Sequence, residues 1–247
     1  MPDHTIFNER PESQDRALKV IERLGYTIVP RSEAERKRGS RKAVLFTEEL
    51  QAFLSKQTYR FGSETRYFSG GAIARAMQAV DQHSAAGLYA ANKEIYELIC
   101  SGKSMEEELP DGTRQSFDIR YIDFEHPENN TFQVTDEFEV ERPNGRFARP
   151  DLVVLVNGIP LVVIECKKSS VDVMEGVTQN IRNWGEDYIP HLFRYAQLVM
   201  AMNPDKVLYG TCGTPAKYFV SWHEDNKDWL NDWCRKCSPD GQIREQD

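Results

Sequence analysis

Two apolar runs, LVVLV at 152–156 and IPLVVIE at 159–165, flank Asn157-Gly158, with charge fixed at their far ends. Runs this dense in valine, leucine and isoleucine belong to strands buried on both faces. Asn-Gly is the pair a tight hairpin turn selects, because both central positions need positive φ. A chain holding this hairpin must build a sheet around it, with cover on each side. Yet the first strand opens with Asp151, and the second runs into Glu165, Lys167 and Lys168. Burying an unpaired charge costs several kcal/mol, so these ends belong at a rim, beside partners or a ligand.

Register decides whether the charges meet. With a two-residue loop and regular pairing, Asp151 faces Ile164 and Glu165 points to the other side. A three-residue turn of Asn157, Gly158 and Ile159, or a compensating bulge, sets Asp151 opposite Glu165, with Lys167 on the same face. Opposed residues have Cβ atoms roughly 4.5–5.5 Å apart. Two carboxylates that close repel unless a proton or a cation sits between them. Mg²⁺ binds through one or two carboxylates and keeps waters for a substrate phosphate. A lysine beside it orients or deprotonates water, or stabilises the charged phosphate. Such a set hydrolyses phosphodiesters. The plain alternative is structural, with ion pairs of Asp151 to Arg149 and of Glu165 to Lys167 or Lys168.

Elsewhere, Ala17, Val20, Ile21 and Leu24 recur at helical spacing, predicting a helix over 13–24 with Ser13 as N-cap and Gly25 as stop. TIVP reads as a short strand. ERKRGSRK at 35–42 carries five basic residues and reads either as a solvated loop or as a loop contacting phosphates. Residues 71–100 are alanine-rich and mostly helical, with packing expected from Ala85, Ala86, Leu88, Tyr89 and Ala91 and a stop at Gly102. MEEELPDGT at 105–113 reads as a polar turn whose three glutamates face water. SFDIRYIDF and TFQVTDEFEV alternate as half-buried strands. A helix is expected over 171–187, and YAQLVMAMN, KVLYGTC and KYFVSW are further strand candidates. The pattern gives an α/β (α+β) fold, a central mixed sheet flanked by helices, with one domain over 1–225 and a charged tail or linker over 226–247.

The net charge of −8 argues against a surface coated all round with nucleic acid and leaves room for a local basic groove. No apolar run approaches the ~20 residues of a membrane helix. MPDHTIFNERPESQ is too polar for a secretory signal, so a cytoplasmic location is expected. Five cysteines show no framework spacing and are expected as reduced thiols; Cys234 and Cys237 form a CxxC that no second ligand pair follows.

The run FQVTDEFEVERPNGRFARPDLVVLVNGIPLVVIECKKSS resembles the N-terminal nuclease domain of the restriction (R, or motor) subunit of type I restriction-modification enzymes. ANKEIYELICSGK is similar to that family's Asn-containing helix, YIDFEHPENNTFQV to its Ile-Asp-Phe…Asn-x-Phe segment, and YGTCGTPAKYFVSW to its closing strands. The resemblance covers most of residues 10–225. It implies a PD-(D/E)xK fold cutting duplex DNA with Mg²⁺. Asp151 and Glu165 become metal ligands, Lys167 the catalytic lysine, and the carbonyl of Cys166 a further ligand. The family's Gln-x-x-x-Tyr motif falls on Gln179, but Asn183 stands where the tyrosine would be, followed by Trp184. The resemblance further implies an ATPase motor in the full-length subunit, with methyltransferase and specificity subunits as partners. No GxxxxGK[ST] occurs here, so ATP binding is not expected of this chain. The competing reading makes the domain a docking or autoregulatory module with a vestigial metal site.

Overall fold

The structure, a computed structural model, describes residues 12–82 and 86–222. The CxxC and the segment over 226–247 lie outside the described residues. From the N-terminus run α1 (Glu12–Arg23), β1 (Thr27–Val29), α2 (Arg31–Arg38) and α3 (Thr47–Ser55). A small hairpin, β2 (Thr58–Phe61) and β3 (Glu64–Tyr67), is followed by α4 (Gly70–Asp81) and α5 (Leu88–Ser101). A second hairpin, β4 (Lys103–Glu108) and β5 (Arg114–Ile119), leads to β6 (Phe132–Asp136) and the short pair β7 (Val140–Glu141) and β8 (Phe147–Ala148). Then come β9 (Leu152–Val156), β10 (Ile159–Cys166), α6 (Val173–Asn183), α7 (Pro190–Phe193), β11 (Leu198–Met202), β12 (Val207–Gly210) and β13 (Val220–Ser221).

Seven strands make one mixed sheet in the order β1-β6-β9-β10-β11-β12-β13. β9 pairs antiparallel with both β6 and β10, while β1 joins β6 and β11 joins β10 in parallel. The parallel step from β10 to β11 needs a crossover, and α6 and α7 supply it. This is the expected mixed sheet flanked by helices, consistent with a PD-(D/E)xK-like fold. Every residue of β9 is buried, as its unbroken apolar run requires. Along β10 the faces alternate: Ile164 and Cys166 pack with Ala17 and Leu18 of α1, while Val163 joins the main core with Phe46, Leu50 and Phe193. Each such fully buried aliphatic side chain contributes about 1.5–3 kcal/mol.

The turn has two residues, Asn157 at φ 50° and Gly158 at φ 80°, and pairing starts with Ile159 opposite Val156. The register then shifts between Pro160 and Val162, leaving Leu161 as a bulge. Of the two ways to bring Asp151 opposite Glu165, the chain uses the bulge. Ile164 lies opposite Leu152, so the next pair outward is Glu165 and Asp151. The turn itself is anchored, with Phe46 N–H donating to Gly158 C=O at 2.9 Å; a Cβ on Gly158 would run into the Phe46 carbonyl. Buried Asn157 donates its Nδ2 to Tyr121 C=O at 2.9 Å and accepts from Thr131 N–H at 2.8 Å.

Several expectations need correcting. Ser13 lies inside α1, and its Oγ donates to the carbonyl of Lys167, so it is a long-range tether and not the N-cap. Residues 103–108 are strand, and Glu107 is buried, accepting from Ser69 N–H at 2.9 Å; only Glu106 and Glu108 face water. The hydrophobic period missed this because one face of β4 packs through Met105 and the glutamate beside it needs only a cap to satisfy. α5 buries Ala91, Asn92, Ile95 and Ile99, whereas Ala86 and Tyr89 are exposed; Ala85 lies outside the described residues. Asn92 is buried because its Nδ2 faces the carbonyls of Phe193, Arg194 and Ala196 at 2.9–3.1 Å. The basic run at 35–42 is helix and cage. Arg38 is buried against Phe138, and Arg31 and Arg41, with Arg149, converge on buried Glu139 at 2.8–2.9 Å.

Candidate active site

The end of the hairpin gathers Asp151, Glu165 and Lys167. Glu165 is fully buried, and Lys167 Nζ lies 3.9 Å from its Oε2. Asp151 Oδ2 accepts the backbone N–H of Cys166 at 2.6 Å. Within a strand the N–H and C=O of one residue point to the same neighbour, so the Cys166 carbonyl is turned toward Asp151 as well. Its thiol lies in the apolar layer under α1, where burial pushes its pKa up. Of the structural alternative, the Asp151–Arg149 pair does not form, because Arg149 is engaged by Glu137 and Glu139 at 3.1 and 2.9 Å, whereas the Glu165–Lys167 pair does, at 3.9 Å.

α6 covers this end. Asp172 caps it, accepting from Met174 N–H at 2.9 Å, and Glu175 in its first turn and Arg182 in its last suit the helix dipole. Gly176, Gln179 and Asn183 fall at spacings that share one face. A Cβ on Gly176 would lie 3.0 Å from Ala201 Cβ, 3.5 Å from Glu165 Cβ and 3.6 Å from Lys167 Cε, so the glycine lets the helix approach β10 and β11. One turn on, Gln179 Oε1 accepts from Lys167 Nζ at 2.6 Å. A further turn on, buried Asn183 donates its Nδ2 to Glu165 Oε1 at 3.3 Å. Trp184 leaves this face and packs edge-on to Phe193, 5.9 Å between centroids.

α1 holds the site from behind. Ser13 Oγ meets the Lys167 carbonyl at 2.8 Å, and buried Gln14 donates its Nε2 to the Asp151 carbonyl at 3.3 Å. Sequence reasoning missed Ser13, Gln14, Gly176 and Asn183 as site residues. The available signal for Gln14 was a polar residue within the apolar stripe of α1.

Burial raises the pKa of Asp151, partly offset by the Cys166 N–H and the charge of Lys167. Burial raises that of Glu165 well above the carboxylate range, and repulsion from Asp151 adds to it. Glu165 Oε2 is buried with no hydrogen-bond partner. Such an oxygen costs free energy unless something else meets it. A hard cation fits this donor set of two carboxylates and a carbonyl. Among the described residues no three His, Cys, Asp or Glu side chains cluster to hold a metal by themselves, so water would complete the shell. The cleft over Lys167, Glu175, Gln179 and Arg182 measures about 480 Å³. A larger apolar groove of about 800 Å³ lies between α1 and β11–β13. Arg16, Tyr26, Asp205 and Lys206 also line that groove, but Asp151, Glu165, Lys167 and Gln179 do not, so the smaller cleft over Lys167 is the candidate site.

A family model described as the type I restriction enzyme R protein N terminus matches residues 6–218. The chain belongs to that family. Among curated relatives, the putative type I restriction enzyme MjaIXP endonuclease subunit of Methanocaldococcus jannaschii is 33% identical over 138 residues, 55% of this chain and 13% of that one. The type I restriction enzyme HindI endonuclease subunit of Haemophilus influenzae is 25% identical over 225 residues, 88% of this chain and 20% of that one. This R protein N-terminal region therefore spans a fifth or less of the length of these relatives. No helix among its described residues is long and apolar enough to cross a membrane.

Proposed function

We propose that this chain is the Mg²⁺-dependent nuclease region of a type I restriction subunit, hydrolysing phosphodiester bonds of unmodified duplex DNA. The observation that carries the reading is the buried Glu165 Oε2, without a hydrogen-bond partner, set opposite Asp151 and 3.9 Å from Lys167 Nζ. Asp151, Glu165 and the carbonyl of Cys166 would hold Mg²⁺, which when bound lowers the pKa of water and neutralises charge on the phosphate. Lys167 presents its ammonium to the attacked phosphate and stabilises the charge that builds there. Gln179 fixes that lysine through its Oε1. Asn183 fixes Glu165 in turn.

The relatives' printed names support a restriction endonuclease subunit. In the whole enzyme, ATPase motor domains of the same subunit and separate methyltransferase and specificity subunits would deliver the DNA in the cytoplasm. Asp151→Ala, Glu165→Ala and Lys167→Ala in the full-length subunit should each abolish cleavage while leaving ATP hydrolysis and translocation intact. Retained cutting by all three variants would sink the assignment. For the chain alone, Mn²⁺ titration by calorimetry should show binding that Glu165→Ala removes.

A further inference from the structure

The charge of this chain, −8, is set against a polyanionic substrate, so the cations left without carboxylates matter most. Most of the basic run cannot serve: Arg38 is buried, Arg41 is tied to Glu139 and Lys37 to Glu49, and outside the run Arg31 and Arg149 are also held by Glu139. Arg142 and Arg182 differ. Neither forms an ion pair with a carboxylate among the described residues, though they come from separate elements, β7's end and the last turn of α6. Both approach one ring, their guanidinium carbons 3.8 and 5.3 Å from the centroid of Tyr188. Arg142 is further aimed by its Nε, which donates to the Asp187 carbonyl at 3.1 Å. Arg182 is exposed and lines the catalytic cleft together with Lys167 and Gln179.

A guanidinium held against an aromatic face keeps its N–H edge free and has lost much of its rotamer freedom in advance. That edge matches the oxygens of a phosphate, which arginine grips with two parallel hydrogen bonds. We propose that Arg142 and Arg182, set by Tyr188, form a clamp for a backbone phosphate of duplex DNA neighbouring the one attacked beside Lys167. The clamp places the strand, and the carboxylate pair does the chemistry. This deepens the nuclease reading and rests on it for the identity of the substrate.

The test uses the full chain, a fluorescent duplex and Ca²⁺ in place of Mg²⁺, with Kd measured by anisotropy across a salt series. Arg142→Ala and Arg182→Ala should each weaken binding about five- to tenfold at low salt and lower the log–log salt slope by about one. Arg182→Lys should keep the slope while losing part of the affinity, since the charge remains and the fork does not. Arg66→Ala, on the remote β2–β3 hairpin and paired with Glu64, should change neither. Because Arg142 also braces the Asp187 carbonyl, its loss can lower Tm, but a purely structural role leaves the salt slope unmoved. An unchanged slope in both alanine variants overturns the clamp, and so does a wild-type chain that does not bind duplex at low salt. The two readings fail separately. Arginine-dependent binding by a chain whose subunit never cuts removes the nuclease and keeps the clamp, whereas cutting with an arginine-independent slope does the reverse.

Discussion

Asn183 donates to Glu165 Oε1 from one helical turn beyond Gln179, which accepts from Lys167 at 2.6 Å. One face of α6 thereby sets both side chains of the Glu-x-Lys pair. Asn183→Ala would leave Glu165 Oε1 without its donor in a dry site. Losing a partner of a ligating carboxylate typically costs 10–100-fold in metal affinity, and Mn²⁺ affinity by calorimetry should fall by about that much. Asn183→Asp keeps the shape but not the donor and should not rescue binding.

Glu165→Gln removes a carboxylate that burial and Asp151 both disfavour. The metal-free protein should gain about 1 kcal/mol, seen as a Tm rise of about 2–4 °C at neutral pH for a chain of this length. Cleavage should be lost at the same time. A fall in Tm would show that the carboxylate is compensated in some other way.

The pH dependence follows from the direction of the shifts. Asp151 and Glu165 both have folded pKa values above their ordinary ones, so the metal-free fold holds protons that the unfolded chain has released. The stability these two groups contribute is therefore fullest below the ordinary carboxylate range, near pH 4, and is lost as pH rises through the raised values. A cation needs both groups ionised, so its affinity should change in the opposite sense and weaken on acidification. Calorimetry in buffers of different ionisation enthalpy should show proton release on Mn²⁺ binding, greatest just below the raised pKa values.

At Gly176, α6 lies close against Ala201, Glu165 and Lys167. Gly176→Val would push into Ala201 and Lys167, costing about 1–3 kcal/mol by overpacking. The added bulk should also displace the lysine, so cleavage should fall further than stability. Gly176→Ala should be milder, because its helix propensity gain of about 1 kcal/mol offsets part of the crowding. Chemical denaturation and cleavage rates read the two effects separately.

The central hairpin and its charged ends were legible because apolar runs, an Asn-Gly turn and residue parity leave few arrangements. Parity even required a device, a longer turn or a bulge, though not which; at the bulge the Leu161 carbonyl accepts from the N–H of distant Gln197 at 2.8 Å. Glu107 and Arg38 were misread because their partners, Ser69 and the carbonyls of Ala43 and Glu139, are distant in sequence or silent in composition. The same blindness hid Asn183 and Gln14. Their positions were marked, Asn183 by the Gln-x-x-x-Tyr spacing and Gln14 by the apolar stripe of α1, but the buried partner of each was not.

Ser13 and Lys167 are joined across 154 residues, and Gln14 and Asp151 across 137. Few contacts in the domain close longer loops, and such contacts form late because loop-closure entropy must be met first. During synthesis α1 emerges long before the strands it braces. A nascent or partly unfolded chain can thus carry Asp151, Glu165 and Lys167 and still lack the tethers that hold Asp151 and Lys167 in place. In that sense the fold would time the arming of the proposed site, which is complete only when α1 has docked on Lys167 and Asp151.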